Sequence, residues 1–197
     1  MAESIASAET RNRLLKVTAG GLVSGIATPL MVPLIDSING FPRDIRLALL
    51  AVPFAIFVFF LVRRFGANRL WVALAAGLIT MFAFVCAVNA AVWVDGLAGS
   101  VPKFVRNVLS GLAGGFAGTT VMALGFRLLS AGPRDPSAWV PMVITGTIAG
   151  ALFAVDNALN LDKTSILFPV WQAGVAVALV GALLSRPGAS KSAIDAA

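Results

Sequence analysis

The groups able to do chemistry in this chain are few and gather near the ends of apolar runs. Asn89, Asp95, Arg106, Asn107, Asp156, Asn157 and Gln172, with Asn160 and Asp162 beside them, supply carboxylate and amide oxygens, amide N–H groups and one guanidinium. Such a set can line one polar vestibule and hold a molecule by hydrogen bonds and ion pairs. An arginine this near hydrocarbon needs a partner. The expected arrangement therefore sets Arg106 and Asn107 against Asp156 and Asn157. Asp156, Asn157, Asn160 and Asp162 offer oxygen ligands, but their spacing matches no calcium loop of the EF-hand type. The plain alternative is ordinary solvated loop chemistry.

Much other chemistry is excluded. The chain has no histidine, no tyrosine and a single cysteine, Cys86. A zinc site of the Cys/His kind cannot be built, nor can a nucleophile that depends on a histidine base. Every Asp, Glu, Lys and Arg lies in a loop or within a turn or two of the end of an apolar run. No relay of buried carboxylates exists, which disfavours a proton- or sodium-coupled pump. The polar residues deeper in the runs are Thr80, Cys86, Asn89, Thr119, Thr120, Thr145, Thr147 and Gln172, and threonine can bond its own helix. No Walker sequence, dinucleotide fingerprint or lipidation motif is present. The expectation is no enzyme, no catalytic residue, no cofactor and no metal.

The elements that position these groups are membrane spans. Of 197 residues 58% are hydrophobic and 12% charged, and mean hydropathy is +0.91. That excludes a disordered chain and a soluble monomer, whose surface could not hide so much apolar area. Six apolar runs are long enough to cross about 30 Å of hydrocarbon: Leu14–Ile35, Arg46–Val62, Leu70–Val94, Phe104–Leu129, Ala138–Val155 and Ile166–Leu184. They do not alternate polar and apolar residues, as strands of a membrane barrel would. The first is too long for the apolar core of a signal peptide and reads as a retained helix. The fold class is an all-α membrane protein, a compact bundle of six transmembrane helices, with a head at 1–13, the membrane domain at 14–184 and a tail at 185–197.

Charge sets the orientation. Head, tail and the second and fourth loops carry ten basic and four acidic residues, a net +6, whereas the odd-numbered loops carry five of each, a net of zero. By the positive-inside rule both termini are cytoplasmic, and the expected location is a bacterial inner membrane. The partner is the lipid bilayer, joined by a membrane-protein partner or a second copy. The scattered basic residues form no nucleic-acid patch. Trp71, Trp93, Trp139 and Trp171 all fall near expected interfaces, as belt tryptophans do.

Two patterns organise the bundle. Pro42-Arg43-Asp44-Ile45-Arg46 and Pro102-Lys103-Phe104-Val105-Arg106 share Pro-basic-x-x-Arg, with Asp36 and Asp95 preceding them. This hints at three weakly repeated helix hairpins in parallel orientation. Glycines also recur four apart: Gly21 with Gly25, Gly111 with Gly115, Gly114 with Gly118, and Gly146 with Gly150. Such pairs let helix backbones approach closely in lipid, and the two overlapping pairs of the fourth run predict neighbours on two sides. The functional expectation is transport, as a channel, permease subunit or substrate-capture component. The alternative is a non-catalytic structural subunit or assembly factor of a larger membrane complex.

Overall fold

The computed structural model describes residues 2–37, 40–66, 69–129, 133–161 and 164–185. The tail after residue 185, and Asp162, lie outside the described residues. Among those described there is no strand. The helices are α1 (Ala2–Leu30), α2 (Val32–Asp36), α3 (Arg43–Leu50), α4 (Val52–Phe65), α5 (Leu70–Leu97), α6 (Lys103–Leu128), α7 (Val140–Gly150), α8 (Leu152–Ala158) and α9 (Leu167–Leu184), with a 3-10 turn at Pro136–Trp139 ahead of α7. Five spans are long and apolar enough to cross a membrane, namely Glu9–Asp36, Leu70–Leu97, Lys103–Leu128, Pro136–Ala158 and Leu167–Leu184; the number rises to six if the bent pair of α3 and α4 is one span. These helices mark an integral membrane protein. Large apolar side chains such as Leu78, Phe82, Ile148 and Leu128 point outward, which only a lipid surround makes favourable. Trp71 and Trp93 are also exposed, near opposite ends of α5. Their separation of 22 residues amounts to about 33 Å at 1.5 Å each, close to the hydrocarbon thickness.

Packing follows chain order. α4 contacts α1 and α5, α5 contacts α6, α6 contacts α7 and α8, and α9 contacts α7 and α1, so consecutive elements close into a ring. Three elements depart from the apolar runs. α1 starts at Ala2, ahead of Leu14; its polar first half includes good helix formers, Ala, Glu and Arg, and carries the Glu9–Arg13 ion pair one turn apart. The second run is not one straight helix. It starts at Arg43 and bends by 52° between α3 and α4, where Pro53 offers no N–H to the carbonyl one turn back. The fifth run breaks at Ala151, just past Gly150, whose helix propensity is poor.

The glycine spacings are contact seams. A Cβ at Gly111 or Gly115 would strike the carbonyl oxygens of Gly150 and Gly146 in α7, while one at Gly114 or Gly118 would meet Ala87 in α5 at 3.0 and 2.9 Å. α6 thus presents bare backbone to two neighbours. Gly21 and Gly25 of α1 do the same against Ala173 and Pro169 of α9.

The core sits at one end of the ring. Val58, Val72, Met122, Met142, Val175 and Leu179 are fully buried there. They come from the second half of α4, the first half of α5, the last turns of α6, the start of α7 and the second half of α9. The other end, where Asp36, Asp95 and Asp156 lie, is called the aspartate end below.

Candidate functional site

At the aspartate end the ring is hollow. A chamber of about 470 Å³ lies between the second half of α5, the first half of α6, α8 and the start of α9. Its wall is mostly apolar, with Phe84, Phe153, Phe168 and Trp171 supplying aromatic faces. Tight packing closes its inner limit. Phe84 and Phe168 meet at a tilt of 32° with ring centres 6.1 Å apart, Trp171 meets Phe54 edge-on at 5.8 Å, and the Trp171 indole N–H donates to the Gly146 carbonyl at 3.0 Å. A second space of about 230 Å³, bounded by α1, α2, α3, α8 and α9, shares Phe153, Asn157, Leu167 and Phe168 with the first.

One face of α6 carries most of the chamber's polar groups. Lys103, Arg106, Asn107, Ser110, Gly111 and Gly114 all line it, and their spacing of three and four places them on a single stripe. Polarity falls along that stripe from ammonium and guanidinium through amide and hydroxyl to bare backbone. Arg106 Nε lies 3.1 Å from Asp95 Oδ1, an ion pair whose N–H is not aligned for a hydrogen bond. Asn107 is 7% exposed and lines the chamber. Ser110 is 1% exposed with an unpaired hydroxyl. Buried polar groups normally find partners, so unmatched ones beside a cavity are places where a ligand can bond.

The expected vestibule residues are distributed over four environments. Asp95, Arg106, Asn107 and Asn157 meet at the chamber, where the Asn157 amide is held by the Phe153 carbonyl. Arg106 pairs with Asp95 rather than with Asp156, which corrects the expected pairing: α5 and α6 form a tight hairpin, so the acid across the turn is nearer. Asp156 instead receives the backbone N–H groups of Ile166 and Leu167 and the Ser165 hydroxyl, and so caps α9. Asn89 is exposed and donates to the Val85 carbonyl of its own helix. Gln172 is buried in the α1–α9 seam, where its amide donates to Thr28 and accepts from Ser24. Thr28, Thr80, Thr119 and Thr147 each donate to a carbonyl one turn back in their own helix. Trp139 is also turned inward, with its N–H on the Pro133 carbonyl.

Sequence reasoning passed over Lys103 and Ser110 as chamber residues, although the polar periodicity from Lys103 to Ser110 was there to be read. It named Asp36, Asp95 and Asp156 but did not join the third to the first two as one pattern. Asp36 pairs with Arg46 at 3.8 Å as Asp95 pairs with Arg106, and Asp156 engages the start of α9. The three lie 59 and then 61 residues apart. Among the described residues no group of three His, Cys, Asp or Glu could hold a metal. No family model, curated protein or solved structure matches the chain.

Proposed function

We propose that the chain is a substrate-capture component of a membrane transport system, built as a six-span bundle in a bacterial inner membrane with both termini cytoplasmic. The observation that carries this reading is the blind chamber at the aspartate end, backed by a solid core at the other. Its volume lies within the range of about 300–1,000 Å³ typical of small-molecule sites, and its apolar wall with a few converging polar groups has their usual make-up. A structural subunit has no use for such a space, and a channel would need the opposite end open. The ten-to-five division of basic residues turns the chamber outward. In this reading the α3–α4 and α7–α8 pairs each form one span. The three aspartates, each tied to the start of the next span, support three parallel hairpins. A membrane-protein partner or a second copy would complete the translocation path.

The test fills the chamber. Val88→Trp places an indole in its wall. Cells carrying that variant, expressed at wild-type level, should fail to deplete from their medium the same compounds that cells lacking the protein fail to deplete. Wild-type uptake by the Val88→Trp cells, with growth and complex assembly intact, would contradict capture and favour the structural subunit.

A further inference from the structure

The capture reading leaves the substrate class open, and the following inference rests on it. The chamber grades from charged to apolar along one helix face. Lys103 and Arg106 stand at the mouth, Asn107 and Ser110 lie one turn further in, and below them the α6 face is bare glycine backbone opposite the rings of Phe84, Phe153 and Phe168. Among the described residues of the wall Asp95 is the only acid, against Lys103 and Arg106, which leaves one net positive charge there. The first turn of α6 adds the positive end of its helix dipole. Asn107 and Ser110 are at least nine-tenths buried, and the Ser110 hydroxyl has no hydrogen-bond partner among the described residues. A wholly apolar guest would leave that hydroxyl unmatched, at a free-energy cost. A cationic guest would meet Lys103 and Arg106, and a small polar ion would leave the aromatic wall empty.

We propose that the chamber takes a monoanionic amphiphile, with a carboxylate or phosphate head at Lys103, Arg106 and Asn107 and a short aliphatic or aromatic body against Phe84, Phe153 and Phe168. The head can belong to a free small molecule or to a lipid that inserts one chain. Asp95 acts as a competitor for Arg106, holding the guanidinium in place when the chamber is empty and yielding part of it to the guest.

The full chain in phosphatidylcholine nanodiscs tests this, with empty nanodiscs as the blank. Labelled octanoate, octanol and octylammonium are compared by equilibrium dialysis. Octanoate is expected to bind saturably, one per chain, about tenfold tighter than octanol, with octylammonium weakest. Lys103 has no ion-pair partner among the described residues, so Lys103→Gln leaves the fold alone. It should weaken octanoate roughly fivefold, the scale of a rim charge, and leave octanol unmoved. Asp95→Asn should tighten octanoate by a similar factor, a gain that a purely structural role would not produce. Octanol or octylammonium binding as tightly as octanoate, or an octanoate-to-octanol ratio unmoved by both variants, overturns the anionic class. Absence of saturable binding by any of the three overturns it too.

Val88→Trp separates this failure from failure of capture. Saturable binding that Val88→Trp abolishes but that favours octanol leaves capture standing and removes the anion. Octanoate binding that survives Val88→Trp removes both. Native mass spectrometry of the chain in mild detergent assigns the head: an anionic phospholipid retained and displaced by octanoate marks a lipid, and octanoate binding without one marks a free carboxylate.

Discussion

The two ends of the bundle use the same helices and nearly the same residue types, yet one is solid and the other hollow. At the solid end α4 lies against α1, α5 and α9, and Val58, Leu179 and Met122 fill the space between them. At the aspartate end the spans are interrupted. α3 swings 52° away from α4, α8 is offset from α7 at Ala151, and α9 begins only after a loop that Asp156 ties down. Ala87, Gly111 and Gly114 hold α6 against its neighbours on one side and border open volume on the other. Apolar composition puts a helix in the membrane, and the straightness of its neighbours decides whether it packs solid or leaves a chamber.

Substitutions can break or sharpen that contrast. The largest effect is expected where both ends depend on one seam. A leucine at Gly115 would drive its Cβ into the Gly146 carbonyl oxygen, a backbone atom that cannot step aside. A loss of roughly 3 kcal/mol or more is expected, the upper end of overpacking, read as a large fall in Tm in detergent. Gly96→Leu is the control, because a Cβ there meets nothing, and it should be near neutral. Equal small losses would mean that the seam does not hold α6 to α7.

A pair of truncations compares the ends directly. Leu179 is fully buried in the solid core, and Leu167 borders both cavities. Leu179→Ala should cost about 2 kcal/mol, the low end for a core leucine, because lipid rather than water surrounds the unfolded helices and the transfer contribution shrinks. Leu167→Ala should cost less than half as much, since its neighbours already face space. Equal costs, measured by unfolding in mixed detergent, would show that the chamber wall is as tightly packed as the core.

The smallest effect is expected beyond the solid end, in the loop before α7. There the side-chain and backbone hydrogen bonds from Ser137 hold the Asp135 carboxyl below its ordinary range. A lowered folded pKa gives a contribution that is present above the ordinary carboxylate range and lost as pH falls through the lowered value. The carboxyl is fully exposed, so Asp135→Asn should change Tm only slightly at pH 7, and the difference from wild type should shrink as pH falls below the ordinary carboxylate range. A difference that grows on acidification would contradict the assignment.

Most of the helices, and the glycine seams, were legible in sequence because both rest on local rules: run length against bilayer thickness, and small residues four apart. The bend at Ala51 was not, because hydropathy runs unbroken through Pro53 and a proline in a first turn looks the same as one after a break. The chamber was half legible. Asp95, Arg106, Asn107 and Asn157 reach it because all four lie near the same end, but sequence carries no information on which acid faces Arg106. Asp95 takes that role because α5 and α6 are hairpin neighbours, while Asp156 is drawn to the free N–H groups of α9. Gln172 read as a vestibule residue because its position along α9 is right, but its direction around the helix points it at Ser24 and Thr28.

Thiol accessibility tests the solid and hollow ends most directly. In a Cys86→Ala background, Val88→Cys places a thiol in the chamber wall and Ala76→Cys places one in the core. Intact cells are treated with a membrane-impermeant maleimide and the protein is then denatured to count the remaining thiols. Val88→Cys is expected to label from outside, while Ala76→Cys labels only after denaturation. Shielding of Val88→Cys, or equal labelling of the two positions, would contradict an outward chamber closed off by a solid core.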